Sequence, residues 1–595
     1  MRVFTPMAVL SVAVITTHQQ TSTIQWTPFT YTSAAGETLA VDSGRVTVPE
    51  RHGQSGGRTI QLAVIRVRST AVRPGPPIIY LAGGPGGSGT AGIRGDLFPT
   101  VDALRAVSDV IVYDQRGTGS TQPSLVVRGT IGIPMDESVN SPAAMNGAVA
   151  RARAAAEEIR ARDIDLTAYN TNENADDLDL LRQALGVDKF ILWGHSYGSH
   201  LGLAYLRRHG AHVERAILGG INGLDQRRRL PADGDVLLTR IDSAVRQTPK
   251  LRTVMPDFLG TTRRVLAKLA AAPVKVRVDS ADVLLGKEEV QLLIALAGGE
   301  WSFVSALPLL LGELDAGRYD IVARQVRDII KARPMGTAMT YPMDMSSGVS
   351  PARARQIAEQ QATAILGNAI NFPFDQPEYQ QAWGVRVLPD EFREPVRSNV
   401  PTLFVSGTLD GRTSLGDAAD VMRGFSNRTS VIVDAAAHNP YALTPMLRDL
   451  MLRFARGERV SDARLPVAAE FHGPDEPALI AELRSVATSG GAAAVSTRLR
   501  EMAASGSPNY VSSYVVGNTF LALLRGDRKP EEAFAVLQVG LELFPRNSFL
   551  LTRLAEVHAG RGEKEQAMAA YRRALEADPF NRVAAVQLQK LGASP

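Results

Sequence analysis

Short apolar segments that alternate with helical segments constrain the fold of this chain more than any other feature. Each apolar segment runs directly into a glycine-containing turn or a polar loop. These segments are PPIIYLAGGPGGSGT (76–90), SDVIVYDQRGTGS (108–120), KFILWGHS (189–196), RAILGGING (215–223), VPTLFVSGTLDG (400–411) and TSVIVDAAAHNP (429–440). Continuous apolar strands separated by helices are typical of a parallel sheet that helices cover on both faces. We therefore predict an α/β fold built on such a sheet.

The alternation is interrupted in the middle of the chain. Residues 225–395 have a mostly helical pattern with scattered Pro and Gly, and they show no strand alternation. The whole chain has 595 residues, which is too long for one hydrophobic core. We predict that residues 28–224 and 396–460 form the α/β core and that residues 225–395 are inserted into it as a helical cap.

The C-terminal part of the chain has a different character. After about residue 462 it is alanine-rich and helical in pattern, and two of its stretches resemble each other. The same residue type recurs 34 positions apart at Gly526 and Gly560, Ala533 and Ala567, Leu541 and Leu575, Pro545 and Pro579, and Asn547 and Asn581. A helical repeat of 34 residues is typical of tetratricopeptide repeats. We predict an all-α region at 466–595 with such repeats at about 514–592, packed on the α/β core or used for self-association or a protein partner.

The N-terminus has the features of an export signal. Arg2 precedes the apolar run VFTPMAVLSVAVITT (3–17), and a polar stretch follows. A basic start before a short apolar run is typical of a secretory signal peptide, although a buried first strand remains an alternative. We predict a signal peptide at 1–22 and a periplasmic or extracellular protein. No later stretch reaches 18 apolar residues, so we expect no membrane span in the mature chain.

Composition argues against several classes of partner and cofactor. The chain has 65 basic and 61 acidic residues, a net charge of +4, no long basic block and no cysteine. We therefore expect no nucleic-acid partner, no disulfide and no thiolate metal site. The glycine-rich loop at 83–89 lacks the Gly-Lys-Ser/Thr ending of a phosphate-binding loop. We expect neither a nucleotide, nor another cofactor, nor a metal.

The pattern Gly-x-Ser-x-Gly, which surrounds the nucleophile of many hydrolases, occurs twice. One copy, residues 53–57, contains Ser55 and lies in a predicted hairpin loop between two β-rich stretches. The other, residues 194–198, contains Ser196 and lies between an apolar strand and a helical segment. A strand that turns sharply into a helix presents a serine hydroxyl clear of the backbone. We therefore predict Ser196 as a nucleophile and assign no catalytic role to Ser55.

A serine nucleophile requires a base and an acid that orients the base. On this kind of strand–turn–helix scaffold their order along the chain is Ser, acid, His. Of the nine histidines, His438 is the one that follows a late apolar strand in a loop. The acid should end the preceding strand, which favours Asp410, with Asp225 and Asp434 as alternatives.

Acyl transfer also requires hydrogen-bond donors for the developing oxyanion. The backbone N–H of Tyr197, directly after the nucleophile, is one candidate. The glycine-rich loop at 83–87 supplies the other, and we favour Gly84 within it.

Three motifs together resemble one family. They are GGPGGSG (83–89), DQRGTGST (114–121) and ADDLDLLRQALGVDKFILWGHSYGS (175–199). The combination resembles the proline iminopeptidase and tripeptidyl aminopeptidase branch of the α/β-hydrolases over about residues 40–460. The resemblance implies an α/β-hydrolase fold, the triad Ser196, Asp410 and His438, and a helical cap over the site.

The resemblance also suggests the substrate. In this branch, acidic side chains of the cap typically hold the free α-amine of the substrate, and Asp375 lies in the stretch GNAINFPFDQPEY (367–379), which resembles such a segment. We therefore expect an aminopeptidase that releases short units from the N-termini of peptides. A carboxylesterase on the same scaffold and a non-catalytic interaction protein based on the repeats are the alternatives.

Overall fold

The computed structural model describes residues 23–32, 38–54, 56–93, 97–441, 444–467, 469–504, 511–578 and 581–592. Two predictions fall outside these residues, namely the signal peptide at 1–22 and the hairpin-loop position of Ser55, and both stay predictions. Within the described part of the chain, no helix is both long and apolar enough to span a bilayer.

The strands occur mainly before residue 220 and again after residue 400. In chain order they are β1 (Thr27–Thr32), β2 (Thr38–Pro49), β3 (Thr59–Val67), β4 (Ile78–Leu81), β5 (Val110–Tyr113), β6 (Val126–Thr130), β7 (Phe190–His195), β8 (Val213–Gly219), β9 (Val274–Val278), β10 (Ala281–Leu285), β11 (Pro334–Thr337), β12 (Thr402–Gly407), β13 (Arg428–Val433) and β14 (Ala463–Leu465). Among the described residues, ten strands form one sheet in the order β1-β2-β3-β5-β4-β7-β8-β12-β13-β14. Neighbours from β5 to β14 pair in parallel, and β1, β2, β3 and β5 pair antiparallel. The predicted parallel sheet is confirmed, with an antiparallel edge added to it.

Helices connect the parallel strands, form most of the inserted region and make up the C-terminal region. They are α1 (Gly89–Gly92), α2 (Phe98–Leu104), α3 (Pro142–Arg160), α4 (Thr171–Ala184), α5 (Tyr197–His209), α6 (Pro231–Gln247), α7 (Pro249–Val254), α8 (Phe258–Ala271), α9 (Lys287–Ala297), α10 (Trp301–Asp315), α11 (Asp320–Val326), α12 (Thr340–Ser346), α13 (Pro351–Gln361), α14 (Pro377–Trp383), α15 (Leu415–Met422), α16 (Pro445–Ala455), α17 (Glu476–Ala504), α18 (Ser513–Leu521), α19 (Pro530–Leu543), α20 (Ser548–Gly560), α21 (Lys564–Ala577) and α22 (Arg582–Lys590).

The central strands are buried on both faces. Along β4, Ile79 and Leu81 belong to one hydrophobic cluster, and Ile78 and Tyr80 belong to another. Successive side chains of a strand point to opposite faces of its sheet, so these clusters lie on the two sides of β4. This explains why the central strands are apolar at every position rather than at every second one.

The register of the parallel strands aligns their carboxyl ends. His195, the last residue of β7, pairs with Gly219, the last residue of β8. In the same way Gly407, the last residue of β12, pairs with Val433, the last residue of β13. The loops that follow these strands therefore leave the sheet side by side at one edge.

The inserted region is less purely helical than predicted. Helices α6 to α14 occupy most of it, but β9 and β10 form an antiparallel hairpin there, and β11 pairs with β6 outside the predicted cap. The hairpin does have a sequence signal, which the prediction of a helical cap did not use. The stretch VKVRV (274–278) alternates between β-branched and charged residues. Ile133 and Val139 also belong to the hydrophobic cluster of this region, so the cap uses side chains from before residue 225.

The C-terminal region is helical, as predicted, and the sheet before it ends later than predicted. Strand β14 continues the sheet to Leu465, beyond the predicted end of the core at residue 460. Helices α19 and α21 begin at Pro530 and Lys564, and α20 and α22 begin at Ser548 and Arg582, so each pair starts 34 residues apart. The helical period therefore follows the period of the sequence repeat.

Helix α5 begins directly after the turn that follows β7, and it packs closely on the end of β4. A Cβ atom added to Gly198 would lie 1.9 Å from the carbonyl oxygen of Leu81, and one added to Gly194 would lie 2.4 Å from the carbonyl oxygen of Gly198. Neither position has room for a side chain, because the obstructing atoms belong to the backbone. The two glycines of the Gly-x-Ser-x-Gly pattern therefore allow strand, turn and helix to approach one another.

Replacing Gly198 by Ala should destabilise the protein by about 3 kcal/mol, because the backbone of α5 or β4 has to move. Gly210, directly after the same helix, is a matched control, since its φ is −58° and no atom lies within 4 Å of its Cβ position. Gly210→Ala should be neutral or stabilise by about 0.4–1 kcal/mol. Thermal unfolding measures both variants, and equal melting temperatures would contradict the role given to Gly198.

Candidate active site

Ser196 lies on a strained turn between β7 and α5. Its φ of 55° and ψ of −121° are unusual for a residue with a side chain, and such backbone strain is often found at functional sites. The N–H of Ser196 donates to the carbonyl oxygen of Gly219 at 2.9 Å, which ties the turn to the end of β8. The predicted strand-to-helix position of Ser196 is what the structure shows.

His438 and Asp410 form a buried hydrogen-bonded pair. Nδ1 of His438 lies 2.8 Å from Oδ2 of Asp410, and the hydroxyl of Thr413 donates to the same oxygen at 2.6 Å. The backbone N–H groups of Arg412 and Thr413 donate to Oδ1 of Asp410. Burial opposes ionisation of this carboxyl, but the charge of His438 and these hydrogen bonds outweigh it and lower the pKa of Asp410 to about 2. Asp410 is therefore a carboxylate at neutral pH.

The other ring nitrogen of His438 is available for proton transfer. Nε2 of His438 is buried and has no hydrogen-bond partner among the described residues. When Nδ1 carries the proton that faces Asp410, Nε2 has a free lone pair and can act as a base.

Ser196 and His438 pack on the same turn after β8. Gly219 accepts the hydrogen bond from Ser196, and a Cβ atom added to the next residue, Gly220, would lie 2.9 Å from Cε1 of His438. The ring of His195, the neighbour of Ser196, has its centroid 4.9 Å from that of His438. Burial and the nearby His438 lower the pKa of His195 to about 3, so His195 stays neutral and adds no positive charge beside the base.

The two alternative acids lie elsewhere. Asp434 forms an ion pair with Arg464, with 2.7 Å between Oδ1 and Nη2. Asp225 accepts a hydrogen bond of 2.7 Å from the backbone N–H of Ser350. The structure therefore brings Asp410, rather than Asp434 or Asp225, to His438.

The candidate oxyanion donors belong to the start of α5 and to the glycine-rich loop, and both of these segments adjoin Ser196. Tyr197 is the first residue of α5, a position at which the backbone N–H has no partner within the helix. On the other side, a Cβ atom added to Gly83 would lie 3.7 Å from Oγ of Ser196. Gly83 is thus the loop residue in contact with the serine side chain, and Gly84, the predicted donor, directly follows it.

Asp114, to which the sequence assigned no role, holds the glycine-rich loop in place. Its carboxylate accepts hydrogen bonds from the hydroxyl of Ser88 at 2.6 Å, from both N–H and hydroxyl of Thr90, and from the N–H of Ser120. Its neighbour Gln115 donates through Nε2 to the carbonyl oxygen of Ala82 at 3.0 Å. The DQRG stretch was visible in the sequence, but its contacts to residues 82–90 are formed only by tertiary structure.

Among the described residues that line the cavity around Asp375, none belongs to the candidate triad. Asp375 lines this cavity of about 540 Å³ in the cap, and its carboxylate accepts hydrogen bonds from the side-chain amides of Asn368 and Gln376. Asp233, at the start of α6, instead lines a narrow cavity together with Asp410. Burial and the nearby carboxylate of Asp417 raise the pKa of Asp233 to about 6. Asp233 is an acidic cap residue that sequence reasoning did not single out.

The fold agrees with a comparison against protein families. Residues 76–445 match the family described as alpha/beta hydrolase fold. The match covers more than half of the chain, and the chain therefore belongs to the α/β-hydrolase family.

Several curated relatives are similar to part of the chain. The tripeptidyl aminopeptidase of Streptomyces lividans is 32% identical over 190 residues, which are 30% of this chain and 35% of that protein. The serine protease Hip1 of Mycobacterium tuberculosis is 28% identical over 183 residues, again 30% and 35% of the two chains. A protein of Streptomyces coelicolor named probable proline iminopeptidase is 29% identical over 147 residues, 25% of this chain and 33% of that one. The chain thus matches about a third of the length of these relatives.

Replacing Asp410 by Asn should lower kcat by about 10³–10⁴-fold while the protein stays folded, because the neutral amide no longer stabilises a protonated His438 or fixes its tautomer. Asp434→Asn is the control and should keep kcat within about twofold. Steady-state kinetics on a small chromogenic ester or amide measures both. Near-full activity of Asp410→Asn, with loss of activity in Asp434→Asn, would show that the acid is misassigned.

Proposed function

We propose that the protein is a serine hydrolase that acts through Ser196, His438 and Asp410. The observation that carries this proposal is the buried Asp410–His438 pair: its Nε2 has no hydrogen-bond partner among the described residues, and the His438 ring lies 4.9 Å, centroid to centroid, from that of His195, the residue before Ser196. A nucleophile, a base and an orienting acid in this arrangement are the parts that covalent acyl transfer requires.

The proposed reaction proceeds through an acyl-enzyme. Oγ of Ser196 attacks the substrate carbonyl carbon while Nε2 of His438 takes the hydroxyl proton. The N–H groups of Tyr197 and of the 83–84 loop stabilise the tetrahedral oxyanion. His438 then gives its proton to the leaving group, and the carbon–leaving-group bond breaks. A water molecule, deprotonated by His438, releases the acyl group and restores Ser196.

A fluorophosphonate directed at activated serines should label the protein once, at Ser196. Ser196→Ala should abolish labelling and hydrolysis, whereas Ser55→Ala should leave both unchanged, because Ser55 lies in the other Gly-x-Ser-x-Gly copy. Mass spectrometry of the labelled peptide identifies the site. Continued labelling or hydrolysis in Ser196→Ala would exclude Ser196 as the nucleophile. A folded wild-type protein that neither reacts with the probe nor hydrolyses any substrate would favour the non-catalytic alternative.

We further propose that the substrate is a peptide with a free N-terminus. The names of the relatives, tripeptidyl aminopeptidase and proline iminopeptidase, support this substrate class, as does a cap with acidic side chains near the candidate triad. Asp233 is our candidate for holding the α-amine, because it and Asp410 line one narrow cavity, together with Arg229 and Arg412. Asp375 remains the prediction from the resemblance, and a carboxylesterase remains the alternative activity.

Acetylating the N-terminus of a good peptide substrate should lower kcat/KM more than about tenfold, because the half-buried carboxylate of Asp233 then loses its charged partner. Asp233→Asn should remove most of this difference, and Asp375→Asn, as the matched control, should leave it. The reverse result would assign the amine to Asp375. Equal turnover of free and blocked peptides, or turnover of esters only, would favour the esterase.

The preference for a free amine should also depend on pH. The raised pKa of Asp233, about 6, means that its carboxylate is present above that pH and lost below it. A peptide α-amine, with a pKa of about 7.7–8.0, is charged below that range. The ratio of kcat/KM for free and acetylated peptides should therefore peak between about pH 6 and 8. A ratio that does not change across pH 6 would exclude Asp233 as the partner of the amine.

We also propose that α19 to α22 are two tetratricopeptide-like repeats and that the protein is exported. The 34-residue spacing of the helix starts supports the first statement, and the N-terminal sequence supports the second. N-terminal sequencing of the protein from its native host tests export, since removal of residues near 1–22 is expected. An intact N-terminus on protein recovered from the cytoplasm would exclude it.

A further inference from the structure

The segment that enters the C-terminal region is part of the hydrophobic core of the cap. Phe471 is 3% exposed and belongs to the cap's hydrophobic cluster, with Ala469 and Tyr514 packed against the same cluster. The ring of Phe471 lies 5.7 Å from that of Trp301, the first residue of α10. The C-terminal region and the cap therefore share one core rather than meeting at a polar surface.

Further contacts follow the length of α10. The backbone N–H of His472 donates to the carbonyl oxygen of Ser305 at 2.8 Å. Pro474 packs so closely that a Cβ atom added to Gly312 would lie 2.3 Å from the Cβ atom of Pro474. The segment from 469 to 476 thus runs along the helix for about three turns.

A buried ion pair joins the same two parts of the chain. Lys250, on α7 of the cap, pairs with Glu476, the first residue of α17, and both side chains are almost fully buried. The hydroxyl of Ser512 also donates to Glu476 at 2.9 Å, and Nδ1 of His472 lies 3.4 Å from the other carboxylate oxygen. Removing one partner of a buried ion pair is strongly destabilising, so this contact ties the cap firmly to the start of α17.

The loop that precedes α10 is bonded to the backbone of both catalytic loops. The carbonyl oxygen of Gly299 accepts a hydrogen bond of 3.0 Å from the N–H of His438. The carbonyl oxygen of Gly298 accepts one of 3.2 Å from the N–H of Gly411, the residue after Asp410. Two backbone hydrogen bonds therefore connect the loop before α10 to His438 and to the residue after Asp410.

The loops that carry the candidate acid and base also contact the cap core and the last strand of the sheet. Leu409, the residue before Asp410, belongs to the same hydrophobic cluster as Phe471. The N–H of Asp434, at the start of the loop that carries His438, donates to the carbonyl oxygen of Leu465 in β14 at 2.9 Å. These contacts form a continuous packed network from the C-terminal region to the candidate triad.

We propose that the C-terminal region is a positioning element for the catalytic pair: the segment 469–476 holds α10, and α10 holds the backbone of His438 and the Asp410 loop in register with Ser196. Phe471 acts as a positioning residue through Trp301. This inference rests on the proposed triad and extends it to the role of the C-terminal helices. Spatial connection alone does not establish coupling, but a misplacement of about 1 Å in a catalytic group can cost about 10²-fold in rate.

Full-length Phe471→Ala should lower kcat about tenfold or more, with KM changed less than about threefold, because the variant loosens α10 without touching the substrate. Phe520→Ala is the matched control, since Phe520 is 2% exposed in a cluster of the C-terminal helices that contains no cap residue, and it should keep kcat within about twofold. Phe471→Leu, which keeps most of the apolar volume, should restore activity. All values of kcat are divided by the number of sites titrated with fluorophosphonate, which removes any unfolded fraction.

Trp301→Ala removes the other partner of the Phe471–Trp301 contact. It replaces Phe471→Ala in the test if that variant does not fold. Its loss of kcat should equal that of Phe471→Ala, and the double variant should lose no more than either single one, because one contact is removed. Wild-type kcat per titrated site in these variants, or an equal loss in Phe520→Ala, would overturn the inference. Ser196→Ala, measured in parallel, separates the two questions, because turnover without Ser196 would overturn the proposed function instead.

Discussion

The parallel register of the central strands is the constraint on which the rest of the structure depends. Ser196, Asp410 and His438 are far apart in the chain, and each follows a strand whose last residue pairs with the last residue of a neighbouring strand. Strands β8 and β12 pair in parallel between these two strand pairs, so all three loops open at one edge. In an open parallel sheet this edge is where ligands bind.

The second constraint is steric and lies in the turn between β7 and α5 that carries Ser196. Gly198 packs against the carbonyl oxygen of Leu81, and Gly194 packs against the carbonyl oxygen of Gly198. These contacts place the start of α5 directly over the end of β4, so the glycine-rich loop after β4 lies against Ser196. The glycine packing thus positions Ser196, and the carboxylate of Asp114 separately anchors the glycine-rich loop beside it.

The charge arrangement at the site follows from burial. A buried carboxylate is costly unless hydrogen bonds compensate it, and Asp410 receives four, from His438, the Thr413 hydroxyl and two backbone N–H groups. Asp233 lines the same cavity with a raised pKa and fewer compensating groups. Two carboxyl groups that line one cavity thus have pKa values shifted in opposite directions.

The cap and the C-terminal helices also depend on this edge of the sheet. The loop before α10 accepts hydrogen bonds from the N–H groups of His438 and Gly411, and the C-terminal segment packs on α10 through Phe471. The C-terminal region is therefore not packed independently of the cap. Its first segment completes the hydrophobic core of the cap, and the cap in turn supports the loops that carry the proposed acid and base.

Local patterns in the sequence were enough to predict the parallel sheet, the strand-to-helix turn at Ser196 and the helical C-terminal region. Apolar strands, turn glycines and helical periodicity act over a few residues, and each leaves a readable signal. The pairing of Asp410 rather than Asp434 with His438 was favoured by chain order, but only the structure shows the 2.8 Å contact. The separation of Asp375 from the triad, the place of Asp233 and the packing of Phe471 on α10 were decided by tertiary structure alone. These contacts join segments tens to hundreds of residues apart, and no local period or spacing encodes which distant surfaces will share a core.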